Sequence, residues 1–236
     1  MRVLLSILTA LSLSACASVT PQLGEDTAQV QLLDASLPSP KRAADNFLAV
    51  VDRVEPIAER ICRAEAPALT CDYQIVVDSR PTEPPNAFQT LDRAGRPIIA
   101  FTISLIADAR NQDELAFILG HEAAHHIAGH LQKTQATAQR GALLAGALAA
   151  INGAEEAAIR AAQESGATVG ARAFSKEFEL EADAMGAVIA YRAGFDPLIG
   201  AKYFERIADP GNRFLGTHPP NADRIETVRR TVESLR

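Results

Sequence analysis

A chain of 236 residues is long enough for one domain with a substantial hydrophobic core. Hydrophobic residues make up 47% of it and aromatics only 5%, with no Trp, the composition of an alanine-rich, mostly helical globule. The formal charge of −6, with no basic patch, argues against a nucleic-acid partner.

Residues 1–15 read as a leader rather than as part of the fold. Arg2 gives a short positive start, Val3 to Leu13 an apolar run, and Leu13-Ser14-Ala15-Cys16 follows. The pattern resembles a bacterial lipoprotein signal, in which the Cys that closes the lipobox, here Cys16, becomes the lipidated N-terminus. The alternatives are an ordinary secretory signal with an incidental Cys, or a short membrane anchor, although the run is too short to span a bilayer comfortably. Ala rather than Asp at position 17 implies, by resemblance to known sorting rules, the outer membrane facing the periplasm. Residues 16–40, polar and broken by Pro21, Gly24, Pro38 and Pro40, read as a lipidated terminus and flexible tether. The domain itself is expected over residues 41–236.

Ser39-Pro40 has the form of an N-cap followed by a first-turn Pro. The helix beyond it buries Phe47, Val50, Val51, Val54, Ile57 and Ile61, and Pro56 is expected to kink or divide it. With Cys16 assigned to lipid, Cys62 and Cys71 remain. An oxidising compartment permits a disulfide between them, with Pro67 available to turn the chain back; two buried thiols are the alternative. Tyr73 to Asp78, Asn86 to Leu91 and Pro97 to Ile103 read as three strands, with a turn at Asp92-Arg93-Ala94-Gly95-Arg96. Together they predict a small antiparallel sheet, hence an α+β fold that is mostly helical.

The chain is organised around the helix predicted from Asn111 to Leu131, which carries His121-Glu122-Ala123-Ala124-His125. Asn111 caps its start, with Glu114 three residues on. His121 and His125 are four apart, so both imidazoles leave one helix face about a turn apart, the bite that a single zinc ion needs from two neutral nitrogens. Glu122, one step round, is placed to touch water rather than metal. His126 and His130 are expected to pack or face solvent. The apolar stretch Gly141 to Gly153 predicts a packed helix, or a mobile flap over the site, and is too short to cross a membrane. A second helix, Arg172 to Tyr191, has Phe174, Phe178, Met185 and Ile189 as its core seam and holds Glu179 and Asp183 on one face. Gly186 continues that face, where a small residue lets another helix approach closely. Glu181 lies on a different, solvated side. The last helix begins near Pro219 and buries Ile225, Val228 and Val232.

HExxH on one helix, Glu179-Leu180-Glu181-Ala182-Asp183 (ExxAD) on a later one and His218-Pro219-Pro220 near the C-terminus together resemble the gluzincin metallopeptidases of the HtpX, OMA, BepA and CAAX-endopeptidase type. The lipobox without an extra repeat domain is most similar to the small outer-membrane lipoprotein members typified by LoiP. The resemblance implies a zincin-like fold, one Zn2+ per chain and Glu179 as third ligand beside His121 and His125. It further implies Glu122 as catalytic base, Asp183 as a hydrogen-bond acceptor for a ligand imidazole, and His218 beside the metal as oxyanion stabiliser or fourth ligand. Asn86-Ala87-Phe88 matches a motif these enzymes carry before the active-site helix and is expected to bind substrate; Arg224 matches a family Arg and is expected to support substrate or the loop of His218. Gln89 to Pro97 departs from the family in being more polar, which bears on the shape of the substrate-facing strand. The implied activity is endopeptidase cleavage of misfolded or unassembled envelope proteins; the alternative is a chaperone or assembly factor of the envelope assembly machinery with latent protease activity.

Overall fold

The computed structural model describes residues 37–236; the expected leader, the expected lipidation site Cys16 and most of the expected tether lie outside the described residues. Helix α1 spans Pro40–Glu65, with Ser39 Oγ accepting from the Arg42 N–H as its cap. Pro56 does not divide it. The proline removes one N–H, while the apolar face of Val50, Val54, Ala58 and Ile61 runs across it unbroken, so burial carries the helix through. At its C-terminal end Cys62 is joined to Cys71 by a disulfide, Cα atoms 5.7 Å apart. Closing so short a loop is worth about 2–3 kcal/mol in the chain-entropy model. Replacing both cysteines with Ala is therefore expected to lower the free energy of unfolding by about that amount, measured by urea titration, with reductant reproducing the effect in wild type.

The strands are β1 (Gln74–Asp78), β2 (Ala87–Leu91) and β3 (Pro97–Thr102), in spatial order β1-β3-β2. The β2–β3 pair is an antiparallel hairpin, as the turn at residues 92–96 predicts, whereas β1 pairs with β3 in parallel. The sheet is thus mixed rather than wholly antiparallel. After β1 the chain crosses to the far side of β3 before reversing, and this leaves β2 as an edge. The polar stretch Gln89 to Pro97 supplies the turn: Asp92 Oδ1 accepts from the N–H groups of Ala94 and Arg96, at 2.7 and 2.9 Å. Its polarity leaves the pairing of β2 intact.

Thr102 ends β3 and caps the short α2 (Ile103–Asp108), accepting from Leu105 N–H at 3.2 Å. Asn111 caps α3 (Gln112–Ile127), accepting from Glu114 N–H at 2.9 Å, while Glu114 Oε2 accepts from Arg110 N–H at 2.9 Å. The buried Glu114 carboxylate is also bound by Arg206 Nη2 at 2.9 Å. Helix α3 is buried on nearly every side, between α1 and the sheet on one flank and later helices on the other.

The predicted helix does not continue past His130 as one rod. It stops at Ile127, Gly129 takes the left-handed conformation (φ 66°), and α4 restarts at His130, running to Ile151. Helices α4 and α5 (Glu156–Arg172) form a hairpin that packs chiefly on itself, with Gly141 lying against Gly166. Leu143, Leu144, Leu148 and Ile151 stay exposed along α4. None of the helices among the described residues is long and apolar enough to cross a membrane.

Helix α6 (Ser175–Arg192) returns across α3, and α7 (Pro197–Gly200) leads through a 3-10 turn, Ala201–Glu205, towards α8 (Asn221–Leu235). Ile189 is fully buried in the α6 seam and Met185 packs against the core, but Phe174 is half exposed: the helix starts after it. One core unites α1, the sheet, α3 and α6; a smaller one, Phe117, Ala187, Ala201, Phe204, Val228 and Val232, seats α8 on α3 and α6. Where α3 and α6 cross, Gly120 faces Gly186. A Cβ on Gly186 would stand 2.7 Å from His121 N, and one on Gly120 would stand 2.7 Å from Gly186 O. The close approach expected from Gly186 is therefore real, and it sets the distance between the two helices that carry the site.

Candidate metal centre

The crossing brings His121, Glu122 and His125 of α3 against Glu179 and Asp183 of α6. His121 Nε2 and His125 Nε2 are 3.0 Å apart, and Glu179 offers Oε2 at 3.6 Å from the first and Oε1 at 3.3 Å from the second. One donor atom from each of the three residues lies within 4.8 Å of the others, and this is the cluster among the described residues able to hold a metal ion. On the far side of its ring, His121 Nδ1 donates to Asp183 Oδ1 at 2.9 Å, which leaves a lone pair on Nε2 directed into the cluster. Two imidazole nitrogens and a carboxylate converging in this way fit a borderline-soft divalent ion such as zinc.

Arg224, from the first turn of α8, is buried beneath the cluster. Its Nε and Nη2 grip Asp183 at 2.7 Å each, and Nη2 also lies 3.3 Å from Glu179 Oε2. Arg224, expected to support substrate or the His218 loop, contacts the two carboxylates here and holds Asp183 in place against His121. Burial works to raise both carboxyls, yet partners outweigh it. The hydrogen bond from His218 and the charge of Arg224 hold Glu179 well below the ordinary carboxylate range. His121 and Arg224 do the same for Asp183.

His218, half exposed, stands at the opening with Nδ1 3.0 Å from Glu179 Oε2. The cluster lies in a cleft of about 650 Å3, whose walls include Glu122, His218, Phe178, Ile118 and, along one rim, Asn86 with Ala87 to Gln89 of the edge strand. Asn86, Ala87 and Phe88 therefore border the cleft rather than the cluster, with Phe88 partly exposed. The disulfide lies in the main core.

The other histidines divide. His126 packs as expected: its ring lies edge-on to Tyr73 and Nε2 contacts the Thr70 carbonyl at 2.8 Å. His130 is buried, but it is not a mere packing residue. Its Nδ1 is 2.8 Å from His125 Nδ1, its Nε2 is 3.2 Å from Glu181 Oε2, and its ring stacks on Phe178 with centroids 4.4 Å apart. Spacing along a continuous helix conceals this contact, because five residues from His125 points the wrong way; the break at Gly129 turns His130 back. Glu181 is half exposed, as its place on another side of α6 predicts, yet it is spoken for by His130.

A fold of this kind, with two helices crossing at glycines to gather HExxH and a downstream Glu, defines a zincin-like metallopeptidase domain. The sequence model of peptidase family M48 matches residues 48–232, and the chain belongs to that family. It is similar to the mitochondrial metalloendopeptidase OMA1 of Saccharomyces cerevisiae, 33% identical over 166 residues that cover 66% of this chain and 46% of that protein. It is also similar to the beta-barrel assembly-enhancing protease of Escherichia coli, 29% identical over 139 residues, or 53% of this chain and 28% of that one. The corresponding protein of Yersinia pestis is 27% identical over 139 residues, or 53% and 29%. The chain thus spans less than half the length of these relatives.

Proposed function

We propose that this protein is a zinc-dependent endopeptidase of the bacterial cell envelope that hydrolyses peptide bonds of misfolded or unassembled periplasmic and outer-membrane proteins. The observation that carries the reading is the convergence of His121, His125 and Glu179 beside Glu122, in a cleft rimmed by an edge strand. Zinc at that donor set supplies a Lewis acid that acidifies water and polarises a carbonyl. Glu122 accepts the proton of the attacking water and delivers a proton to the leaving nitrogen. His218 offers an N–H to the developing oxyanion. The substrate lies extended along β2, pairing through its main chain, with Asn86, Ala87 and Phe88 beneath it. Recognition through the backbone reads unfolded chain more than side-chain identity, which suits quality control. The family relatives include proteases named for beta-barrel assembly, which supports an envelope role alongside assembly machinery, with Cys16 as the lipid anchor to the outer membrane.

One contact favours a second reading. His218 hydrogen-bonded to Glu179 engages a ligand oxygen at the mouth of the site, the arrangement of a latent protease whose main role is assembly or chaperoning. One experiment separates the two. Protein purified without chelator is assayed for zinc content and for cleavage of unfolded casein, then stripped with 1,10-phenanthroline and reloaded. One zinc per chain, cleavage lost on stripping and restored by zinc, is the expected result. Zinc without cleavage supports the latent assembly factor, and cleavage that survives complete stripping overturns the metal reading.

A further inference from the structure

Metal ligands are only as good as the groups that hold them, and the two histidines of the cluster are held differently. His121 is anchored by Asp183, as the ExxAD spacing implies. For His125 the anchor is a different pair, reached through the break in the helix. Glu181 Oε2 is a carboxylate acceptor, so at 3.2 Å the proton belongs to His130 Nε2. A neutral His130 then presents a lone pair at Nδ1, and the proton shared at 2.8 Å with His125 must sit on His125 Nδ1. That assignment leaves His125 Nε2 bare, facing His121 Nε2 and Glu179. The direction of each bond follows from the carboxylate at the end of the chain.

We infer that His130 and Glu181 are positioning residues, a hydrogen-bonded relay that fixes the tautomer and orientation of the ligand His125. The inference rests on the zinc reading of the cluster. Stacking on Phe178 and burial hold the His130 ring in place, so the relay is built rather than adventitious. Glu181 comes from the same helix as Glu179 and Asp183, and so α6 supplies the third ligand and steadies both imidazoles. Groups hydrogen-bonded to a ligand imidazole typically govern metal affinity by about 10–100-fold.

The test measures zinc affinity by competition with a chromogenic chelator, the visible spectrum of the cobalt(II)-substituted protein, and the unfolding midpoint of the metal-free protein. His130→Phe keeps a ring on Phe178 but has no nitrogen; His130→Asn restores an acceptor near the Nδ1 position; Glu181→Ala alters a half-exposed residue and leaves the core intact. The expected result is a loss of zinc affinity of about 10–100-fold in His130→Phe with an altered cobalt spectrum, partial recovery of both in His130→Asn, and a smaller loss in Glu181→Ala. Wild-type affinity and spectrum in His130→Phe would overturn the relay alone. So would equal losses in the Phe and Asn variants that track a lowered metal-free midpoint, the mark of a purely structural residue. Absence of zinc binding by wild type would overturn the metal reading and the relay with it.

Discussion

Glu122→Gln is expected to lower kcat/KM for an unfolded protein substrate by about 10²–10⁴-fold while leaving one zinc per chain bound. The substitution is isosteric and the side chain is buried in the turn between His121 and His125, so packing and the donor set persist. On the proposed mechanism the substitution removes the carboxylate that accepts the proton, a loss equivalent to about 3–5 kcal/mol of barrier. Cleavage of fluorescently labelled casein, read alongside zinc content, checks it. Full activity with zinc retained would show that another group takes the proton. Loss of zinc together with activity would mean that Glu122 is needed to shape the site, not to carry the proton.

Gly186→Val has the larger structural effect. The added atoms meet backbone, His121 N at 2.7 Å and His121 Cα at 2.9 Å, so no rotamer change relieves them. Helix α6 must move off α3, through a core in which Ala187, Ile189 and Ala190 are fully buried. Overpacking of this kind costs about 3 kcal/mol or more. The unfolding midpoint should fall accordingly, and zinc affinity with it, because the same displacement carries Glu179 and Asp183 away from the histidines. An unchanged midpoint would show that the crossing has slack that the glycine pair does not suggest.

Sequence patterns reveal what lies within one element more readily than what lies between elements. Four-residue spacing placed His121 with His125 and Glu179 with Asp183 on their faces, because helical geometry turns spacing directly into position. Gly186 announced the crossing for the same reason. The strands were also legible, but not the direction of β1 against β3, since alternation is blind to which way a neighbour runs. Pro56 misleads because local propensity is outweighed by the buried stripe on either side of it. His130 was hidden twice: Gly129 breaks the helix that spacing assumes, and Glu181 lies far along the chain. Arg224 was found by its motif, but only tertiary packing shows that it faces the carboxylates.

The hairpin of α4 and α5 has a bearing on how the site assembles. His125 and Glu179 are separated by more than fifty residues, and most of them belong to two helices that pack on each other. Once the hairpin has zipped from its tip, its two feet stand together, and the loop still to be closed is only about ten residues instead of roughly fifty. By the logarithmic cost of loop closure, this lowers the entropy penalty of bringing the two halves of the site together by about 1.5 kcal/mol. A contact that is distant along the chain thereby becomes a nearly local one, favouring early docking of α6 on α3.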